Sequence, residues 1–514
     1  MNNLIRVYLC IICVICVTGF SFAQAQLTDA ERRGKQIYLR GTTASGNEIT
    51  GRVAEIDLPG STATCGGCHG MKGEGKTEGG VTAGNLTWPH LLKPYGHTHT
   101  TGREHGPFNE SSFIRAVVNG VDTNGNELLA AMPRYRLSAQ DMADLIAYLK
   151  RIDTDLDPGV TDTSIRVGLL VPSQGALADV GAAMKDVFTA YFDNVNKRGG
   201  VFNRKIELHV AEVGAGAAAG SVAQDFARKE QIFAFIGGLS AGADAQLAAV
   251  ARSEQIPFIG PSTLLPHVET PVNRYLFYLL PGVAEQAVSL VTFAASRNEL
   301  QNASVAIVHN DNTLAVAAAT AAEEHAKKIG RRVEAKQVYT STDFDAKRIV
   351  AELKSKDARA VFFFGSGKEQ ASFLSEAATA RWTPHVFILG VMSGKEFSKD
   401  ILEFKNKIFM ALPTVPADVT REGMAEFRAL HEQYRFTARN TASQLAAFAA
   451  AKIFLEALTR AGKDLSRETL ISKLESLYEY DTGLTPRITF GPNRRIGANG
   501  AHVIALQDLH GSQD

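Results

Sequence analysis

The spacing of apolar residues along this chain changes character once. Near residue 140 it is helical: Leu145, Tyr148 and Leu149 share one face of a predicted helix that begins after Ser138. Ser138 suits an N-cap, and Asp141 three positions on makes a capping-box variant. Beyond residue 163, short apolar runs alternate with amphipathic stretches. Buried strands are predicted at 165–171, 205–212, 232–237, 256–260, 304–309, 360–365 and 385–390, with helices at 181–195, 217–229 and 243–253. Repeated βα units imply mainly parallel sheets with helices on both faces. Residues 153–163 separate the two regimes; four Asp, a Pro and a Gly there mark a linker.

The amino end reads as a leader. Arg6 is the only charge before Asp29, an apolar run follows it at 7–17, and Ala23-Gln24-Ala25 supplies a small-residue cleavage site. A signal peptide over residues 1–25 is expected, which sends the mature chain to the periplasm. The run is short for a span of about 20 residues. No other stretch is expected to cross a bilayer. At 514 residues, with 45% hydrophobic and 21% charged, the chain has material for two to four domains. Lys+Arg and Asp+Glu both number 54. That balance excludes a nucleic-acid partner held by bulk charge.

The leader would remove Cys10, Cys13 and Cys16, leaving only Cys65 and Cys68. In an exported chain such a pair could close as a disulfide. The next residue changes that picture. Cys65-Gly-Gly-Cys68-His69 is the C-x-x-C-H signature of haem c attachment. Each thiol can form a thioether with a haem vinyl group, and His69 then meets the iron as an axial ligand. One covalent haem c is the expected cofactor. A redox dithiol and half a zinc site are the alternatives. Zinc would need two further Cys or His ligands at suitable spacing, and outside the leader no second C-x-x-C exists. A thioredoxin-like pair belongs in a βαβ unit, which this region does not suggest.

Residues 126–150, with Met132-Pro133 followed by the Ser138 helix, resemble the carboxyl-terminal half of class I cytochromes c. The stretch from Asp29 through Gly34 and Ile37-Tyr38 looks like that family's first helix, whose Gly and aromatic pack against the last. The resemblance spans 27–152 and implies an all-α haem domain with Met132 as the second axial ligand. His90, His97, His99 and His105 compete for that position. With His69 and Met132 both bound, the iron has no open site, which favours one-electron transfer over oxygen chemistry. The segment 42–59 is longer than a minimal cytochrome needs.

Residues 164–510 are too long for one usual domain and strongly resemble the leucine/isoleucine/valine-binding type of periplasmic substrate-binding protein. The matching pieces include Pro172-Ser173-Gln-Gly175, Arg198-Gly199-Gly200-Val-Phe-Asn203, Ile236-Gly237-Gly238-Leu239-Ser240 and Pro261-Ser262-Thr263. The resemblance implies two Rossmann-like lobes joined by three crossovers, with a small solute in the cleft. Ser173, Ser240, Ala241, Ser262, Thr263, Leu314 and Met392 fall at its pocket positions. Ser262 and Thr263 could equally cap the segment that follows, and Lys368 could meet an anion or water. Three positions depart from the amino-acid binders: Leu314-Ala315 replaces a Tyr-Gly, no acid stands near Met392-Ser393, and Leu264 replaces a Thr. An α-amino acid would be poorly neutralised there. A less polar or carboxylate-bearing solute is expected.

No H-E-x-x-H occurs, and no enzyme is expected. Gly214 to Gly220 imitates a dinucleotide loop only superficially. The sum is a multidomain, exported c-type cytochrome fused to a solute receptor. Its expected partners are a small molecule and a redox protein such as a periplasmic dehydrogenase. An ABC-transporter receptor with an accessory haem domain, working with a permease, is the alternative; a haem peroxidase is a third reading.

Overall fold

The computed structural model describes residues 27–507 except 79, 100, 173, 215–217, 241, 302 and 395–402. The leader expected at 1–25 lies outside them. The chain divides into two units, Met1–Asp155 and Leu156–Asp514.

The first unit holds helices α1 (Asp29–Arg40), α2 (Cys65–His69), α3 (Trp88–Leu91), α4 (Glu110–Asn119) and α5 (Ala139–Leu149). Thr28 and Glu31 cap α1 reciprocally, and Ser138 caps α5 by accepting from the Asp141 amide. The two helices cross at Gly34, where a Cβ would stand 1.9 Å from the Asp144 carbonyl oxygen. Only glycine permits that approach. One turn on, the Tyr38 and Tyr148 rings meet at 5.8 Å. Phe113, Leu145 and Leu149 complete the apolar core.

Short strands decorate this helical frame: β1 (Thr50–Val53), β2 (Ile56–Pro59), β3 (Lys76–Glu78), β4 (Val81–Ala83), β5 (His97–Thr98), β6 (Glu104–His105) and β7 (Arg134–Arg136). β3–β4 and β5–β6 are two-stranded hairpins, while β1 pairs antiparallel with both β2 and β7. The long segment 42–59 thereby gains a role. It folds as a hairpin that sets Gly51 opposite Tyr135, just past Met132.

In the second unit, β8 (Ser164–Val171), β9 (Lys205–Glu212), β10 (Ala234–Ile236), β11 (Phe258–Ile259) and β12 (Leu276–Phe277) form a parallel sheet in the order β12-β11-β10-β8-β9. Strands β13 (Ser304–Asn310), β14 (Val333–Tyr339), β15 (Ala358–Phe364), β16 (His385–Leu389), β17 (Ile408–Leu412) and β18 (His502–Ala505) form a second, in the order β14-β13-β15-β16-β17-β18. Only the β17–β18 pair is antiparallel. Each lobe thus begins with the same doubly wound order, its first strand second from the edge. Both faces of such sheets are covered, so their strands read as nearly continuous apolar runs. In β15, Phe362 and Phe364 join one core and Val361 and Phe363 the other.

Helices α6 (Ala178–Lys197), α7 (Ala218–Lys229) and α8 (Asp244–Ser253) belong to the first lobe. The second holds α9 (Val283–Ser296), α10 (Thr313–Lys328), α11 (Ala346–Ser355) and α12 (Gly367–Thr379). The chain then returns to the first lobe with α13 (Arg421–Tyr434), α14 (Thr441–Ala461) and α15 (Arg467–Glu475) before β18 closes the second sheet. That makes three crossovers. α14 is long and apolar enough to cross a membrane, contrary to the sequence-based expectation. Over half of its apolar window is buried, however, with Phe448, Ile453 and Phe454 in the first lobe's core. The expected linker is partly docked: Val160 lies in that core and the Arg467 amide donates to Asp157.

Candidate functional site

The haem-type signature occupies one helical turn. A helix so short depends on docking for its geometry. Thr64 caps it by accepting from the Gly67 amide at 3.1 Å. Gly66 lies against Tyr38 and Leu39 of α1, and the Tyr38 hydroxyl donates to the Gly70 carbonyl at 2.7 Å. Cys65 and Cys68 are not joined to each other; Cys65 is half-buried and Cys68 exposed. Burial pushes the Cys65 thiol up to about 12. A redox dithiol works through an easily formed thiolate, which burial disfavours here.

His69 is buried, and its Nδ1 lies 2.7 Å from the Gly84 carbonyl oxygen. That bond makes Nδ1 the donor and leaves the Nε2 lone pair for a metal. Burial also holds the imidazole below its ordinary value, in the neutral form a ligand needs. Met132 sits half-buried in the loop between α4 and β7. Arg134 fastens this loop by donating to the Leu128 carbonyl at 3.0 Å and to the Met132 carbonyl. The Tyr135 hydroxyl donates to the Ala63 carbonyl, tying the loop to the start of α2.

Cys65, Cys68, His69 and Met132 line a single cavity of ≈560 Å³. Its apolar walls include Leu91, Phe108, Phe113, Leu145 and Leu149. Among the described residues no group of three or more His, Cys, Asp or Glu is placed to hold a metal ion. The zinc alternative therefore lacks a cage, whereas two thiols, one imidazole and one thioether around an apolar hollow fit a haem.

The second unit brings its pocket positions to the carboxyl ends of the strands. In doubly wound sheets, ligands bind there, where the strand order reverses. Ser240 follows β10 and is buried; Ser262 follows β11, and its amide donates to Gly238 at 2.9 Å. Leu239 and Ser262 form a parallel bridge, so these two loops lie side by side. The Thr263 hydroxyl accepts from the Leu265 amide at 2.9 Å, the capping role weighed against ligand contact. Leu264 is exposed. Ser173 and Ala241 lie outside the described residues.

Across in the second lobe, Leu314 is half-buried at the start of α10 and Met392 half-buried in a turn after β16. The Ser393 hydroxyl is occupied by the Gln370 side chain and the Leu389 carbonyl, both at 2.9 Å. Glu369 is equally occupied: it accepts from the Ser366 amide at 2.6 Å, the Tyr339 hydroxyl at 3.1 Å and Asn310 at 3.4 Å. His309 is buried with Nδ1 on the Asn310 carbonyl, and Lys368 is exposed.

Residues 164–507 match the family model described as periplasmic binding protein, and residues 61–153 match that for cytochrome c. The chain belongs to the periplasmic binding protein family. Its amino-terminal part is a cytochrome c domain. Leu/Ile/Val-binding protein homolog 8 of Brucella abortus and of Brucella suis are each 23% identical over 232 residues, 44% of this chain and 58% of theirs. The chain thus spans less than two thirds of those relatives' length. A branched-chain amino acid ABC transporter structure from Rhodospirillum rubrum aligns at TM-score 0.54 and 18% identity, covering 66% of this chain and 97% of its own. A valine-bound one from Thermus thermophilus aligns at TM-score 0.50 and 19% identity, covering 67% and 94%. At such identities the likeness shows the fold.

The sequence reading of this periplasmic binding protein missed the supports of its cytochrome site. Gly84, which accepts from His69, and Arg134, which holds the methionine loop, carry no local signature. The Ser366–Glu369 capping box was open to a sequence reading, since Ser-x-x-Glu before an apolar run is its mark.

Proposed function

We propose that this chain is an exported, periplasmic one-electron carrier joined to a small-solute receptor, with no catalytic chemistry of its own. The observation that carries it is the convergence of Cys65, Cys68, His69 and Met132 on one apolar cavity. A haem bound there would cycle between Fe(II) and Fe(III). The chain's part is to fix it: two thiols supply the tethers, Gly84 orients the His69 ring, and Arg134 and Tyr135 hold the loop that offers sulfur. A thioether donor favours reduced iron and a raised potential. Were His69 and Met132 both to hold the iron, no position would remain for oxygen.

The receptor half is read as binding a less polar or carboxylate-bearing solute. Support comes from Leu264, Leu314 and Met392 at pocket positions and from Glu369, whose acceptors are already engaged. Joining the halves makes sense if solute occupancy governs delivery of electrons to a partner such as a periplasmic dehydrogenase. Such coupling requires the partner to discriminate open from closed lobes. Delivery of the solute to an ABC permease, with the cytochrome as an accessory, is the second reading; the likeness of residues 164–507 to transporter receptors favours it.

The test is a spectrum of the purified full chain. A low-spin haem with a methionine–iron band and one haem per chain by pyridine haemochrome supports the electron carrier. A colourless protein, or a high-spin haem that binds peroxide, sinks it. Midpoint potential and partner electron-transfer rate, both unchanged by saturating solute, would leave only the transport reading.

A further inference from the structure

Two of the three crossovers between the lobes of the second unit meet at one ion pair. The chain leaves β17 after Leu412, runs through residues 413–420 and enters α13 in the first lobe. It returns through residues 498–501 to β18, whose first residue, His502, lies opposite Leu412. His502 Nε2 stands 2.9 Å from an Asp418 carboxylate oxygen.

The two partners are anchored in different lobes. Asp418 stands at the first-lobe end of its crossover. Val419 packs on that lobe's core, and the Thr420 amide donates to the Gly483 carbonyl at 3.0 Å, beside the core residue Leu484. His502 opens the edge strand of the second sheet, and the Ala501 amide before it donates to the Ser289 hydroxyl of α9 at 3.0 Å. At the other end of this returning crossover, the Ala498 amide donates at 2.9 Å to the carbonyl of Leu279, a first-lobe core residue. Only Asn499 and Gly500 lie between these anchors, and Gly500 has φ 74°. Hinges are short stretches of this kind, at element ends between packed bodies. The ion pair therefore bridges the hinge.

The charges around it are sparse. Asp418 is the only ionisable residue from 413 to 420, and β17 and β18 carry none besides His502. Along α9 there is one, Glu285, whose carboxylate accepts from the Gly282 amide at 2.9 Å. Arg421 and Glu422 follow at the start of α13 and are exposed. The Asp418 oxygen that faces His502 also accepts from the Val415 amide at 2.8 Å, so its own turn fixes the carboxylate. The Asp418 side chain is 11% exposed and that of His502 38%. The imidazole can thus exchange a proton with water while it stays in place.

We propose that His502 and Asp418 form a pH-governed latch across the hinge, through which acidity regulates lobe movement. An imidazole changes its charge between about pH 5 and 8. With the ring protonated, both members of the hydrogen bond are ionised and their attraction is strongest. As pH rises through that range the ring gives one proton to water and the attraction weakens. Acid therefore fastens the two crossovers to each other and slows any departure from the arrangement in which they meet. The consequence for solute capture rests on the receptor reading above; the latch itself is measured without solute.

The test is hydrogen–deuterium exchange of the full chain at about pH 5 and about pH 8, each amide corrected for its intrinsic rate and read against those of β13. Amides between 414 and 420 are expected to be about two- to fivefold better protected at the lower pH, the size of effect a partly exposed ion pair supplies. His502→Gln should erase that difference. Asp418→Asn should erase it as well, while its side-chain oxygen still accepts from Val415. Equal protection at both pH values in the wild type overturns the latch, and so does a difference that survives in either variant. Should the variants fail to fold, the wild type is measured again in about 0.5 M salt, which screens a partly exposed pair. A difference that salt removes supports the latch; one that salt leaves intact overturns it. A chain for which no solute is found defeats the receptor reading and not the latch, whereas flat exchange in a chain that does bind a solute defeats the latch alone.

Discussion

Arg33 grips both carboxylate oxygens of Asp144, with Nε at 2.6 Å and Nη2 at 2.8 Å, beside the point where Gly34 touches the Asp144 carbonyl. Steric fit and charge thus fasten α1 to α5 at one place. Gly34→Ala should separate the helices, because its new Cβ meets main chain that cannot step aside. A loss of roughly 1–3 kcal/mol is expected. Urea denaturation followed at the haem band would check it; an unchanged midpoint would show that the helices have slack.

Asp122 sets an acid limit on the same domain. Burial alone would raise its carboxyl, but hydrogen bonds from Asn126 and Arg103 outweigh burial and hold it below the ordinary range. A lowered carboxyl stabilises the fold above the unfolded value and loses that contribution as pH falls through the folded one. Stability should therefore drop below about pH 4. Asp122→Asn should be weaker at neutral pH by roughly 1–3 kcal/mol and show a shallower acid decline. Circular dichroism melts at several pH values would reveal either pattern.

Replacing Met132 by His should lower the reduction potential and abolish the methionine–iron band while leaving the haem attached. Axial ligands set potentials over a range of ~0.8 V, so the shift should stand clear of error in spectroelectrochemistry. Cys65→Ser should leave one thioether at most, read as weakened haem stain after denaturing electrophoresis. Full stain with that variant would mean the haem is tethered elsewhere.

Arg467 is half-buried, and its side chain donates to carbonyls of Ile232, Phe233, Glu254 and Gln255. It joins α15 to the strand and helix ends of the first lobe. Arg467→Met strands several acceptors and should cost about 3 kcal/mol or more. A chemical denaturation curve of the full chain is the measure.

For the receptor, thermal-shift screening of the full chain should find hits among carboxylates, alcohols or aromatics and none confined to α-amino acids. A solute present at 100 times its Kd stabilises by about 2.7 kcal/mol, enough for a clear displacement. Leucine or valine as the sole hits would reverse the pocket reading.

Much of this was legible in the chain. Cys65 through His69 announced a haem-type site because that chemistry needs two thiols and an imidazole in one turn. Ser138 and Asp141 marked the start of α5, and the largely apolar runs at 165–171 and 360–365 announced the strands found at 164–171 and 358–364. What stayed hidden depends on partners distant in sequence. Val333–Tyr339 alternates like a surface segment because β14 is an edge strand. The role of 42–59 required Tyr135, over seventy residues away, to be visible. His90, His97, His99 and His105 were separate competitors for iron until a hairpin stacked them.

The hairpin behind Met132 bears on speed. Gly51 lies close against Tyr135 and Pro133, and Arg134 clasps the same stretch from within. An electron hops quickly only where the donor atoms hardly rearrange as the charge changes. On the electron-carrier reading proposed above, a sulfur loop braced from both sides would keep that rearrangement small, and the added residues at 42–59 would act as a stiffener for rapid exchange.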